Sequence, residues 1–154
     1  MSAIADRHLR RLTAWMLWLL LAEFLLGMSV NLFVSLPSAH PGAGAPDYIS
    51  GLLRGLGWAL GRGVLLLRLH VALGLLLVGG GTALLAIALL RRLHPITALT
   101  AAGWIGVTGA AFNGGSFINY GKSFSSMLMA TGFALAATSY VLAMISLLRM
   151  GERP

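Results

Sequence analysis

Apolar residues run along this chain in four long blocks separated by short polar breaks, and each block is long enough for a helix that crosses a bilayer. The first covers residues 13–36 and stops at Pro37; at 1.5 Å per residue it spans roughly 36 Å. The second covers residues 63–90 and ends at Arg91-Arg92. Pro95, suited to the first turn of a helix, opens the third over residues 96–118, and the fourth covers residues 123–148. The longest connection, residues 37–62, begins with a proline- and glycine-rich turn. It then places Ile49, Leu52, Leu53, Leu56 and Leu60 at helical spacing behind Asp47, a natural N-cap. That spacing predicts a short amphipathic helix lying on the membrane surface. Gly, Ser and Asn crowd the segment from Asn113 to Ser126, which reads as an irregular hairpin between spans three and four. The predicted fold class is an all-α integral membrane protein: a single four-transmembrane-helix bundle whose longer external loop carries the short helix.

Composition agrees with that pattern. Of 154 residues, 58% are hydrophobic and 10% charged, more apolar surface than a soluble fold hides. With no cysteine, the chain lacks disulfides, thiolate metal sites and iron–sulfur ligands. The formal charge of +7 sits at the ends of apolar runs rather than on one polar face, so the expected partner is the lipid bilayer and not nucleic acid. Arg7, Arg10, Arg11, Arg91, Arg92, Arg149 and Arg153 flank one side, against Arg54, Arg62 and Lys122 on the other. The positive-inside rule then places both termini in the cytoplasm, in a bacterial-type cytoplasmic (inner) membrane. Trp15, Trp18 and Trp58 suit the interfaces.

Small residues mark where helices meet. Ala98, Ala102, Gly106, Ala110 and Gly114 recur at every fourth position and form one smooth face. Such a face serves packing within the bundle. Alternatively, Ala102, Gly106, Ala110 and Gly114 would receive a membrane-protein partner or a second copy in a homo-oligomer.

Polar groups at membrane depth are site candidates by default. Glu23, Gly27 and Asn31 share one face of span one; span two carries Arg68, His70 and Gly74; span three adds Asn113, Ser116 and Asn119. Helix rise puts Asn31, His70 and Asn113 roughly 8–10 Å from the outer ends of their spans, with Met127 and Met129 at similar depth. Glu23 falls roughly 20 Å deep on the same measure, and Arg68 is expected to reach outward. In the structural reading Asn31, His70 and Asn113 hydrogen-bond between helices or to freed backbone carbonyls, with Glu23 protonated or bonded to a hydroxyl such as Ser139 or Thr108. In the functional reading His70 is the metal ligand of a b-type haem, with room left by Gly74 and Gly27 and propionates met by Arg68, Arg62 or Lys122. The second ligand would be His40, Met127 or Met129, or the iron would be five-coordinate. A quinone or lipid would use the same outer-leaflet pocket. The architecture resembles that of four-helix membrane cytochromes, but the paired histidines on facing spans that define those families are missing, and no family is assigned.

Catalytic motifs are lacking. Gly79-Gly80-Gly81-Thr82 lies inside an apolar span without the lysine of a phosphate loop, and Gly114-Gly115-Ser116 has no accompanying triad. The leading expectation is a small non-enzymatic subunit or accessory protein packing against partners or itself. The alternatives are a ligand-binding or electron-transfer bundle at His70 and a transport unit using Glu23.

Overall fold

A computed structural model describes residues 3–121 and 123–151; Lys122 and Arg153, used in the charge count, lie outside them. Five helices follow in order: α1 (Ala3–Phe33), α2 (Tyr48–Arg62), α3 (Leu65–Leu90), α4 (His94–Tyr120) and α5 (Ser123–Gly151). Among the described residues there is no strand. All except α2 are long and apolar enough to cross a membrane. Each long helix packs on two neighbours, giving the closed order α1, α3, α4, α5, while α2 lies across one end of the bundle against α3 and α4. That end is called the cap end; the opposite one holds the beginning of α1 and the end of α5.

The breaks between helices follow from local chemistry. Arg91 and Arg92 turn the chain out of α3, and Pro95 sits in the first turn of α4, where its missing N–H costs no hydrogen bond. Gly121 closes α4 at φ 62°, a left-handed position suited to glycine, and its N–H bonds the Phe117 carbonyl at 2.9 Å. The segment expected to be irregular from Asn113 to Ser126 is thus helical to Tyr120 and again from Ser123. Gly114 and Gly115 stay helical because side chains fill the space beside them: the Met129 sulfur lies against Gly114 and Leu52 inserts at Gly115.

Two stripes with alternating steps of three and four residues build the α1–α3 seam. On α1 these are Leu9, Thr13, Met16, Leu20, Glu23, Gly27 and Val30; on α3, Leu67, His70, Gly74, Leu77, Gly81, Leu84 and Ala88. All are buried except Glu23, Gly27, His70 and Gly74, which are half-buried. Thr13 and Thr100 satisfy their buried hydroxyls on the carbonyls of Leu9 and Ile96, both at 2.9 Å.

The small stripe of α4 meets α5 almost backbone to backbone. A β-carbon on Gly106 would lie 2.5 Å from the Gly132 carbonyl oxygen, and one on Gly132 would lie 2.6 Å from that of Gly106. Ala110 borders the same contact. Gly106, Ala110 and Gly114 thus face α5 within the bundle. Deeper toward the terminal end, Tyr140 of α5 lies over Gly103 of α4, and its hydroxyl reaches Gly81 of α3. Trp104 donates to the Thr82 hydroxyl at 2.9 Å, tying α4 to α3.

Helix α2 has three faces. Gly51, Gly55 and Ala59 are buried toward the bundle; Ile49, Leu53 and Leu60 form an exposed apolar flank; Arg54, Gly57 and Gly61 form an exposed polar one. The face that docks is the small-residue face, with Leu52 inserting at Gly115 and Leu56 packing beside Ala59.

Candidate functional site

Glu23 and His70 meet in the α1–α3 seam. Glu23 Oε1 lies 2.9 Å from His70 Nδ1, ion-pair distance, with the ring N–H not aligned on the oxygen. Their side chains are 16% and 26% exposed. The contact is reciprocal. His70 covers Gly27 of α1, where a β-carbon would lie 3.1 Å from the ring, and Glu23 covers Gly74 of α3, again at 3.1 Å. Each polar side chain therefore occupies the space vacated by a glycine one turn from its partner on the opposite helix. Among the described residues neither the shielded Glu23 Oε2 nor Thr108 Oγ1 on α4 has a hydrogen-bond partner. Neither Thr108 nor Ser139 takes the carboxylate.

This couple separates two apolar clusters. Toward the terminal end lies the main core of Leu9, Met16, Leu20, Leu77, Leu84 and Tyr140 with their neighbours. Toward the cap end, one turn from Gly27 and His70, a smaller plug brings together Val30, Leu67, Val71 and Ala59. Water is thus held off from both directions along the bundle.

The outer-leaflet layer expected from sequence does not assemble around His70. Asn31 is exposed on α1, and the Asn113 amide donates to the Gly109 carbonyl of its own helix at 2.8 Å. Arg68 does turn outward, to the Gly61 carbonyl at 2.8 Å. His40 has both ring nitrogens engaged, Nε2 at 3.0 Å from the Ile118 carbonyl and Nδ1 at 3.3 Å from the Gly42 amide, and it stacks on Trp58 with centroids 4.7 Å apart. Met127 is 56% exposed, and the Met129 sulfur is taken up against Gly114.

A flat haem ring does not fit this arrangement. Gly27 and Gly74, the two positions that would make room for it, are already covered by His70 and Glu23. Among the described residues no three His, Cys, Asp or Glu side chains converge as a metal site.

The sequence-based depths missed the couple because they treated the outer ends of the spans as level. Glu23 is ten residues, roughly 15 Å, from the end of α1, and His70 is five residues, roughly 8 Å, from the start of α3. For the two to meet, α3 must begin deeper in the bundle, beneath α2. The 3-4 stripes hold the missing signal, since both residues lie on them.

At the cap end, Asn119 of α4 is 6% exposed, and neither its amide nitrogen nor its oxygen has a hydrogen-bond partner. That lack of a partner holds among the described residues; Asn119 is enclosed by Gly42, Gly51 and Gly55, where added β-carbons would collide with it. Comparison with protein-family models, curated proteins and solved structures gave no match, so the function of the Glu23–His70 couple has to be read from its own geometry.

Proposed function

We propose that this chain is an integral membrane protein with both termini cytoplasmic, a small non-enzymatic subunit whose working element is the Glu23–His70 couple, a site that binds and releases a proton within the membrane. One observation carries the proposal: an acid and an imidazole stand 2.9 Å apart on facing seam positions between two apolar clusters, with the second carboxylate oxygen unpaired. Packing alone does not account for such a pair, because apolar residues of similar volume fill a seam as well or better. Imidazole is the side chain whose charge changes near physiological pH, and a carboxyl group beside it supplies a second proton position.

Infrared difference spectra across pH steps, recorded in reconstituted bilayers, test this reading. A protonated-carboxyl band that changes with pH in the parent and is lost in Glu23→Gln is the expected result. Identical difference spectra for the two proteins would reduce the couple to a fixed interhelical contact.

A transport unit using Glu23 is the second reading, supported by the unpaired Glu23 Oε2 and Thr108 Oγ1 on helices from different sides of the bundle. Proton flux into vesicles, present in the parent and abolished in Glu23→Gln, separates it from the subunit reading. A membrane-protein partner would use the lipid-facing perimeter, because Gly106, Ala110 and Gly114 are turned toward α5.

A further inference from the structure

We infer that α2 is a lid over the Glu23–His70 couple, held closed by a few contacts to α4 and poised to open by the buried amide of Asn119. This inference rests on the proton-site reading only for its purpose; its geometry stands apart. Ala59 of α2, with Leu56 and Trp58 packed beside it, forms the outer wall of the plug of Val30, Leu67 and Val71. Leu67 lies one turn above His70 on α3, and Val30 one turn above Gly27 on α1. Lifting α2 removes that wall and leaves one helical turn between the couple and water.

Three latches reach α4, while Arg68 of α3 holds the Gly61 carbonyl near the junction of α2 with α3. Tyr48 donates its phenol to the Phe112 carbonyl, Leu52 fills the notch at Gly115, and His40 in the preceding loop bonds the Ile118 carbonyl. At its other end α2 continues into α3 through Gly63 and Val64, two extended residues that break the helix and form a natural hinge. The loop itself seats incompletely: a cleft of about 430 Å³ lies between it and the end of α4, bordered by Leu36, Ser38, His40, Phe117 and Asn119.

Asn119 supplies the opening tendency. Docking α2 encloses its amide among the backbones of Gly42, Gly51 and Gly55 without a hydrogen bond. An unpaired buried amide is disfavoured, and undocking returns it to water. Glycines at 51 and 55 permit the closed state by their lack of side chains, while Asn119 weakens it.

The absence of cysteine makes the test direct. Single reporters Val30→Cys and, separately, Leu67→Cys are placed in the full chain in nanodiscs, and their reaction with a charged, membrane-impermeant thiosulfonate is timed. Tyr48→Phe, which removes a latch, should speed modification several-fold. Asn119→Leu, which removes the unpaired amide at similar volume, should slow it about tenfold. Hydrogen exchange of the α2 amides in the same variants without cysteine should change in the same directions, independently of the reporters. Unchanged rates in both variants by both methods would overturn the lid while leaving the infrared test of the proton site standing. Altered rates with no titrating carboxyl would keep the lid and remove the proton site.

Discussion

Gly106 of α4 and Gly132 of α5 lie against each other's carbonyl oxygens, so the two helices are as close as their backbones permit. Neither helix can yield locally to a side chain there. Gly106→Leu is expected to separate α4 from α5 and destabilise the protein by at least the roughly 1–3 kcal/mol typical of overpacking. Gly109, three residues on, has nothing within 4 Å of where its β-carbon would stand, and Gly109→Leu should be tolerated. Thermal melts of the two variants in one detergent check the contrast; equal midpoints would refute close packing as the role of the stripe.

Tyr140 gives a prediction of opposite sign. Its ring is fully buried, its hydroxyl has no partner among the described residues, and the group presses on Gly81. Tyr140→Phe removes a polar atom that gains nothing from burial, so stability should hold or rise by up to about 1 kcal/mol. Gly103→Ala, whose β-carbon would lie 2.7 Å from the same ring, should destabilise. A marked loss in Tyr140→Phe under denaturant titration would mean that the hydroxyl has a partner.

The four spans were legible in the sequence because a helix in lipid must satisfy its own backbone, which demands long apolar runs with sharp ends. Asp47, Pro95 and Arg91-Arg92 mark such ends as read. On α2 the sequence spacing marks the helix but not the face that docks: Gly51, Gly55 and Ala59 turn to the bundle with Leu52 and Leu56 reaching in beside them, while Ile49, Leu53 and Leu60 stay exposed. Depth counted from span ends likewise hid the meeting of Glu23 with His70, because the start of α3 is set inward beneath α2.

The cation asymmetry predicts orientation. Arg7, Arg10, Arg11, Arg91, Arg92 and Arg149 gather at the terminal end, and Arg54, Arg62 and Arg68 at the cap end. A reporter fused after Pro154 should read cytoplasmic, and one inserted beside Gly44 should read external. The reverse pair of readings would invert the assignment.

Asp47 caps α2 by accepting the Ser50 amide at 2.8 Å together with the Ser50 hydroxyl. The Ser50 side-chain bond, followed by the Ser50 backbone bond, holds its carboxyl below the ordinary aspartate range. A depressed value means that capping is fully present above the unfolded value of about 3.9 and is lost as pH falls through the lower folded value. Protection of the amides at the start of α2, taken relative to their intrinsic exchange rate at each pH, should therefore be steady near neutral pH and fall only in strong acid. Asp47→Ala should show weak protection throughout, and a loss of protection in the parent near neutral pH would contradict the capping role.

Replacing the members of the Glu23–His70 couple singly and together separates stability from function. Glu23→Gln keeps an oxygen facing Nδ1 and should cost little, in line with interhelical hydrogen bonds averaging about 0.6 kcal/mol. Glu23→Leu leaves the imidazole unpaired in the seam and should cost about 1–3 kcal/mol. Glu23→Leu combined with His70→Leu removes both polar groups, leaves Gly27 and Gly74 to accommodate the new side chains, and extends each stripe as an apolar seam. Most of the loss should then be recovered, which unfolding of all the variants in bilayer-like micelles measures as a coupling energy. A double variant no more stable than the worse single would show that the couple itself holds α1 to α3. Recovery of stability together with loss of the pH-dependent infrared band is the pattern expected of the proposed proton site, since a couple that served only to hold α1 to α3 would not be replaceable by leucines without loss.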